Sequence, residues 1–367
     1  MFNRKINDFN RHKSIGDHYK LLLFILIICG FNYDYFKFKK IFKFIINGYC
    51  IVLNIAIVMA SVSCCDDQDV PQIWSLFEYV ASTIIVLYIK NKTSIFFLKL
   101  KNIDNSLRIN RKYYLHTKYR LYLLIFTIWS VRIVYTTFYC VYYDYCYNDL
   151  LLYLLNQFSL IALDLNRVWR FAIYNEIRYR LRILRMRLGE CPELSCYLFV
   201  INNKIRKENK VRFCLDLYQN IADTMDLMIP ELHASLFVSV ICSLPKLVIN
   251  VYRVLLVIEN HKPYESLGFM LMHILQISFF LFSPCTVAEL FSYEIEKMRK
   301  ILMDKMIKET DKTSKADIQL FVDYTHERNF RFKIWRIIPV NLSLPLNLVN
   351  LCTTYVIVVI NFTHLYD

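Results

Sequence analysis

The side chains best placed to do chemistry in this sequence are ionisable groups set inside long apolar segments. Glu78 lies in one such segment, Arg132 near the middle of the next, and Asp164, Arg167 and Arg170 in a third. A charge in hydrocarbon costs about 2.5 to 3.5 kcal/mol on insertion scales, so each of these residues implies an ion-pair partner or a polar path. Asp164 and Arg167, three residues apart, can neutralise each other on one helix face. Arg170 is near enough to a segment end to extend its guanidinium to the interface. These three read as structural. Lys246 and Arg253 make a further segment less regular, and Pro245 is expected to kink it.

A second group, polar and aromatic, gathers at the ends of the apolar segments away from the basic loops. It comprises Trp74, Phe77 and Glu78; Arg132, Tyr135, Thr136 and Tyr139; Tyr153, Asn156 and Gln157; and Met272, His273 and Gln276. Each alone also fits ordinary helix packing. As a set they describe a pocket with aromatic walls and a few polar anchors, suited to a small organic molecule. Catalysis is not indicated. The eight His have no paired spacing suited to zinc. No Gly-rich phosphate loop, nucleophile elbow or carboxylate dyad can be assembled, so neither an enzyme nor a cofactor is expected.

The elements that must hold these groups are membrane helices. Hydrophobic residues make up 56% of the 367, aromatics 16%, and the mean hydropathy is positive; a soluble chain of this length is less apolar. A span needs ~20 mostly apolar residues. Seven segments qualify: 44–65, 72–89, 121–143, 149–174, 231–258, 267–292 and 335–363. The run Leu21–Phe31 is too short and reads as an interfacial or half-buried helix. A signal peptide is the rival reading, but no small-residue cleavage site follows and a basic stretch does.

The formal charge of +14 is distributed by topology rather than gathered for nucleic acid. Lys and Arg number nine in 1–43, nine in 90–120, ten in 175–229 and ten in 293–333, against Lys262 alone in the alternate loops and tail. Positive loops stay cytoplasmic. The expected fold class is therefore an all-α membrane protein of seven transmembrane helices, with the N-terminus cytoplasmic and the C-terminus extracellular. That polarity is the reverse of a G-protein-coupled receptor, and neither Asp-Arg-Tyr after span three nor Asn-Pro-x-x-Tyr in span seven is present. A transporter is disfavoured by the lack of repeated halves. By the same rule Asn91-Lys92-Thr93, a sequon by pattern, is cytoplasmic and not used.

Several helices extend beyond the membrane. Ile177, Leu181, Leu184 and Leu188 continue span four at helical spacing; Val211, Leu215, Tyr218, Ile221 and Met225 form a second stripe; Ile295, Met298, Leu302 and Met306 continue span six. Such stripes need a partner. A cytosolic anchor bundle carrying subunit contacts is the favoured arrangement, and helices lying on the anionic leaflet the alternative. The twelve Cys form no disulfide framework. Cys191 and Cys196 fall in the reducing cytosol. Cys64, Cys65, Cys140 and Cys146 face the oxidising side, where a bridge and free thiols are both open.

Span seven closes with Thr354-Tyr355, five apolar residues, Asn361 and Phe362. This resembles the signature ending insect gustatory receptors, Thr-Tyr-(apolar)5-Gln-Phe, with Asn361 in place of the usual Gln. The resemblance covers the architecture throughout and recognisable sequence only in the last third. It implies a ligand-gated, poorly selective cation channel of four subunits, homomeric or heteromeric, in the plasma membrane of chemosensory neurons. Its partners would be a small tastant, permeating cations and membrane lipid. Helical spacing puts Thr354, Val358 and Asn361 on one face with Tyr355 and Phe362 beside it, and around a fourfold axis that face would line a pore. A packed bundle whose last helix conducts nothing is the rival. Sugar-tuned relatives often carry Glu after the motif Tyr; Val356 stands there, which leans toward bitter or plant secondary compounds. A sugar receptor or a non-conducting co-subunit are the alternatives within the family. Pro339 and Pro345 are expected to break the segment between an anchoring helix ending near Arg336 and the pore helix. The resulting divisions are a cytoplasmic region 1–43, a six-helix ligand-binding bundle 44–292, an anchor 293–334, a broken pore helix 335–363 and an extracellular tail 364–367.

Overall fold

The computed structural model describes residues 15–36, 40–63, 70–89, 92–109, 111–143, 150–189, 197–201, 204–208, 210–258, 267–328, 333–334 and 338–366. These hold eleven helices: α1 (Ile15–Ile28), α2 (Lys40–Ser63), α3 (Val70–Tyr88), α4 (Thr93–Ser106), α5 (Arg111–Tyr143), α6 (Leu150–Gly189), α7 (Lys210–Asp226), α8 (Ile229–Ile258), α9 (Leu267–Lys308), α10 (Lys312–Glu327) and α11 (Ser343–Tyr366). Two small antiparallel hairpins, not foreseen in the sequence, pair β1 (Tyr197–Ile201) with β2 (Lys204–Glu208) and β3 (Lys333–Ile334) with β4 (Ile338–Pro339). The seven expected spans fall on α2, α3, α5, α6, α8, α9 and α11.

Among the described residues, four helices are long and apolar enough to cross a membrane: α2, α3, α8 and α9. The α2 helix is the plainest case, with Phe44 80% exposed and Ile41, Val52 and Ile55 also open. An apolar face of that kind suits lipid rather than water. At the centre of the bundle α6 lies along α9, α3 along α8, and α8 beside α9, while α11 rests on α8.

The run Leu21–Phe31 belongs to α1, which is half-buried. Leu22, Leu23 and Leu26 are fully buried whereas Leu21, Phe24 and Ile28 are exposed. The helix stops at Gly30, whose φ of +88° favours glycine. A Cβ there would also come within 2.8 Å of the Tyr79 hydroxyl, which donates to the Cys29 carbonyl at 2.9 Å.

The apolar stripes of the extensions expected to be cytosolic correct one expectation. Leu181, Leu184, Tyr218, Ile221, Met298 and Leu302 are fully buried inside the single chain, so the chain itself supplies their partner and they are not free to make subunit contacts. The missing piece was α4, a helix not evident from the sequence, which packs against α7 while α10 packs against both α7 and α9. Each such burial contributes about 1.5 to 3 kcal/mol. The Asp311 side chain caps α10, accepting from the Thr313 and Ser314 amides at 3.4 and 3.0 Å, and the hydrogen bond from the Thr313 hydroxyl, followed by that from the Ser314 amide, holds its carboxyl down to about 2.

A buried guanidinium locks this region. Arg180 Nε and Nη2 each lie 2.8 Å from the Asp104 carboxylate of α4, and Nη1 lies 2.8 Å from Glu176 Oε2. Tyr19 of α1 donates to Glu176 Oε1 at 2.6 Å. Burial alone would lower the Arg180 pKa, but Asp104 and Glu176 outweigh it and raise it.

Span seven is also corrected. The preceding helix, α10, ends at Glu327 rather than near Arg336, the β3–β4 hairpin follows, and α11 runs unbroken to Tyr366, beyond the expected limit at 363. Pro339 stands before the helix in β4. Pro345 sits in the first turn of α11, where a missing N–H leaves no bond unmade.

Candidate functional site

The ionisable residues of the apolar segments, scattered in sequence, meet in the interior. Glu78 of α3 and Asp164 of α6 are fully buried, and Arg132, Arg167 and Lys246 are nearly so. Arg167 Nη2 lies 2.7 Å from both Glu78 carboxylate oxygens, with Nε donating at 3.2 Å. Lys246 of α8 donates to Glu78 Oε2 at 2.6 Å and Ser239, two turns earlier, donates to Oε1 at 2.8 Å. Asp164 receives Arg132 Nε at 2.9 Å, Gln276 Nε2 at 2.6 Å and Arg167 Nη1 at 3.2 Å. The Asp164–Arg167 pairing is the one expected from their spacing.

This network joins α3, α5, α6, α8 and α9. Breaking a buried pair by removing one partner costs about 3 to 5 kcal/mol, because the other charge is left uncompensated. Here each carboxylate has several donors, so neither is left short. Arg167 also lies 5.3 Å from the Phe280 ring centre, which places its cation over an aromatic face. The cluster holds three cations against two carboxylates.

A small cavity of about 10 Å³ opens against this cluster, lined by Arg132, Asp164, Arg167, Lys246, His273 and Gln276 with Ser75 and three aliphatic side chains. It has room for about one water molecule. His273 Nδ1 is 3.4 Å from Asn250 Oδ1, and Asn250 donates to the Lys246 carbonyl at 2.7 Å.

Of the candidate contact residues, Arg132, His273 and Gln276 are brought together at the cavity, with Glu78 behind it. Gln157 is buried. Trp74 is half-buried and meets Phe77 edge-on, their ring centres 6.2 Å apart. Phe77 and Met272 are about half exposed on the outside of the chain, since each sits one residue, a turn of 100°, from an inward neighbour. Tyr135, Thr136, Tyr139, Tyr153 and Asn156 lie on α5 and α6, with side chains outside the described residues. The candidate disulfide cysteines Cys64, Cys65 and Cys146, and also Cys191 and Cys196, fall outside the described residues, as does Asn91, and Cys140 lies on α5 with its side chain outside them.

Arg170, expected to extend toward a segment end, is instead enclosed by the protein at 5% exposure. Lys246 and Ser239 were not identified as partners of Glu78. The signal was available, since a lysine inside one apolar segment and a lone glutamate inside another each demand an opposite charge.

On α11, Cys352 and Val356 are buried, Cys352 lying 4.0 Å from the Leu244 carbonyl of α8. Thr354, Tyr355, Val358 and Asn361 are exposed on the other face, and the Phe362 side chain lies outside the described residues. The Thr354 hydroxyl donates to the Asn350 carbonyl at 3.0 Å.

No protein-family model and no curated protein matches the sequence. Among solved structures, the chain is similar to the insect olfactory receptor OR5 from Machilis hrabei in complex with eugenol, with a TM-score of 0.62 at 13% sequence identity, over 94% of this chain and 97% of that one. At that identity what is shared is the fold: this chain is all-helical, with several apolar spans, and folds like an insect olfactory receptor.

Proposed function

We infer that this protein is a chemoreceptor subunit: a ligand-gated, poorly selective cation channel that opens on binding a small organic molecule. The observation that carries the reading is the end-to-end fold likeness to a receptor solved with a small odorant bound. The Thr354–Phe362 motif adds the gustatory branch to that reading, and Val356 after Tyr355 leans it toward bitter or plant compounds rather than sugars.

Seven membrane crossings with a cytoplasmic N-terminus follow from the Lys/Arg asymmetry. Four copies would set the open face of α11 around an axis. Val358 then forms an apolar ring that blocks conduction by dewetting until it widens, and Asn361 an uncharged amide ring beside it. The ligand site is the end of the bundle holding Arg132, His273 and Gln276. Since the cavity there admits about one water, a ligand must part α5, α6 and α9 to enter, and that displacement is the means of gating.

Expression of the chain alone, and again with candidate co-subunits, under a panel of plant secondary compounds and sugars tests this. Ligand-evoked cation current supports the channel. A response that requires G proteins and carries no current of its own contradicts it.

A further inference from the structure

A second cavity, of about 410 Å³, lies between α5 and α6 where both helices change character. Toward the spans its wall is apolar, with Leu121, Leu124 and Phe171. Toward the basic extensions it is cationic, with Arg120, Arg178 and Arg182, and His116 lies beside them. No carboxylate lines it. The nearby acids are committed elsewhere, Glu176 and Asp104 to Arg180 and Glu294 to Arg185 at 2.6 Å. Arg178 Nε is buried with no hydrogen-bond partner among the described residues. Burial lowers the Arg178 pKa; Glu294 opposes this and Arg182 adds to it. Tyr113 and Tyr179 stack with ring centres 3.4 Å apart, pinning the two helices at this point.

We propose that this cavity binds one anionic phospholipid from the leaflet on the basic side of the membrane. Its phosphate sits among Arg120, Arg178 and Arg182, and its acyl chain lies against Leu121, Leu124 and Phe171. The argument is one of charge complementarity placed at the right depth. Guanidinium groups in a wall without carboxylates seek phosphate, an apolar floor seeks hydrocarbon, and the two meet at the boundary between span and basic extension on both helices. Basic pockets between helices on the cytoplasmic side recognise head groups in this way.

The test titrates short-chain phosphatidic acid into the full-length protein in neutral detergent, reading the thermal unfolding midpoint. Short-chain phosphatidylcholine and inorganic phosphate are the parallel arms. Saturable stabilisation by phosphatidic acid alone is expected. The double variant Arg178→Gln/Arg182→Gln should raise the half-saturating concentration about thirtyfold, since each substitution takes one cation away from the phosphate. Leu124→Trp, which keeps every charge and fills the apolar end, should also weaken binding and serves if the double variant fails to fold. Equal stabilisation by inorganic phosphate would make this a free-anion site, and equal stabilisation by phosphatidylcholine a general amphiphile site; either overturns the proposal. So does an unchanged titration in a folded variant.

Discussion

Lys246 Nζ lies 2.6 Å from Glu78 Oε2, and this contact ties α8 to α3 across the buried interior. The same carboxylate holds Arg167 of α6, so a single glutamate anchors three helices. Deleting its charge leaves two buried cations facing each other. Glu78→Gln is expected to destabilise the protein by about 3 to 5 kcal/mol, seen as a lower unfolding midpoint in detergent. Adding Lys246→Met should recover part of the loss. If the single variant melts with the wild type, the network contributes nothing to folding.

Gln276 bridges the network to the proposed ligand site, since its amide donates to Asp164 at 2.6 Å from the cavity wall. A hydrogen bond to a charged group contributes about 1.5 to 3 kcal/mol. Gln276→Ala should therefore shift the half-maximal ligand concentration by about tenfold to a hundredfold at unchanged surface expression. A dose–response curve superimposable on wild type would remove Gln276 from the ligand site.

The legible part of this fold was the part written in period and charge. The stripes Ile177–Leu188, Val211–Met225 and Ile295–Met306 appear as buried helix faces because helical spacing alone fixes which side turns inward. What covers them was not legible. The helix that covers the Val211–Met225 stripe, α4, contains Lys99, Lys101, Asn102 and Asp104, so its apolar face is short and broken, and its buried Asp104 makes sense only once Arg180 is seen opposite. The site divided in the same way. The local Asp164–Arg167 pair could be read from spacing, but Glu78, Arg167 and Lys246 are far apart in the chain and only tertiary packing brings them together. Pro345 misled for a related reason: a proline in an apolar segment signals a break unless the helix happens to begin beside it.

Since Leu181 and Leu184 are buried within their own chain, Leu181→Asp is expected to abolish the folded protomer. An unpaired carboxylate in a packed core belongs to the substitutions costing more than about 4 kcal/mol. Size-exclusion of the detergent extract checks this. A monodisperse, folded monomer that has lost only its assembly would restore these residues to a subunit interface.

The charge asymmetry makes a separate forecast. An epitope after Asp367 should be reached by antibody on intact cells, and one before Met1 only after permeabilisation, because the 38 loop Lys and Arg on one side face a single Lys262 on the other. Staining of the N-terminal tag alone on intact cells would invert the topology.

The central claim is that the open face of α11 lines a cation path closed by Val358, which is 42% exposed in the single chain. The most direct measurement is the ligand-free cation conductance of cells expressing Val358→Ser, compared with wild type at matched surface density. A hydroxyl ring wets the constriction, so the account predicts a standing cation current well above that of wild type, without any ligand. A Val358→Ser protein at the surface whose background current equals that of non-expressing cells would contradict it.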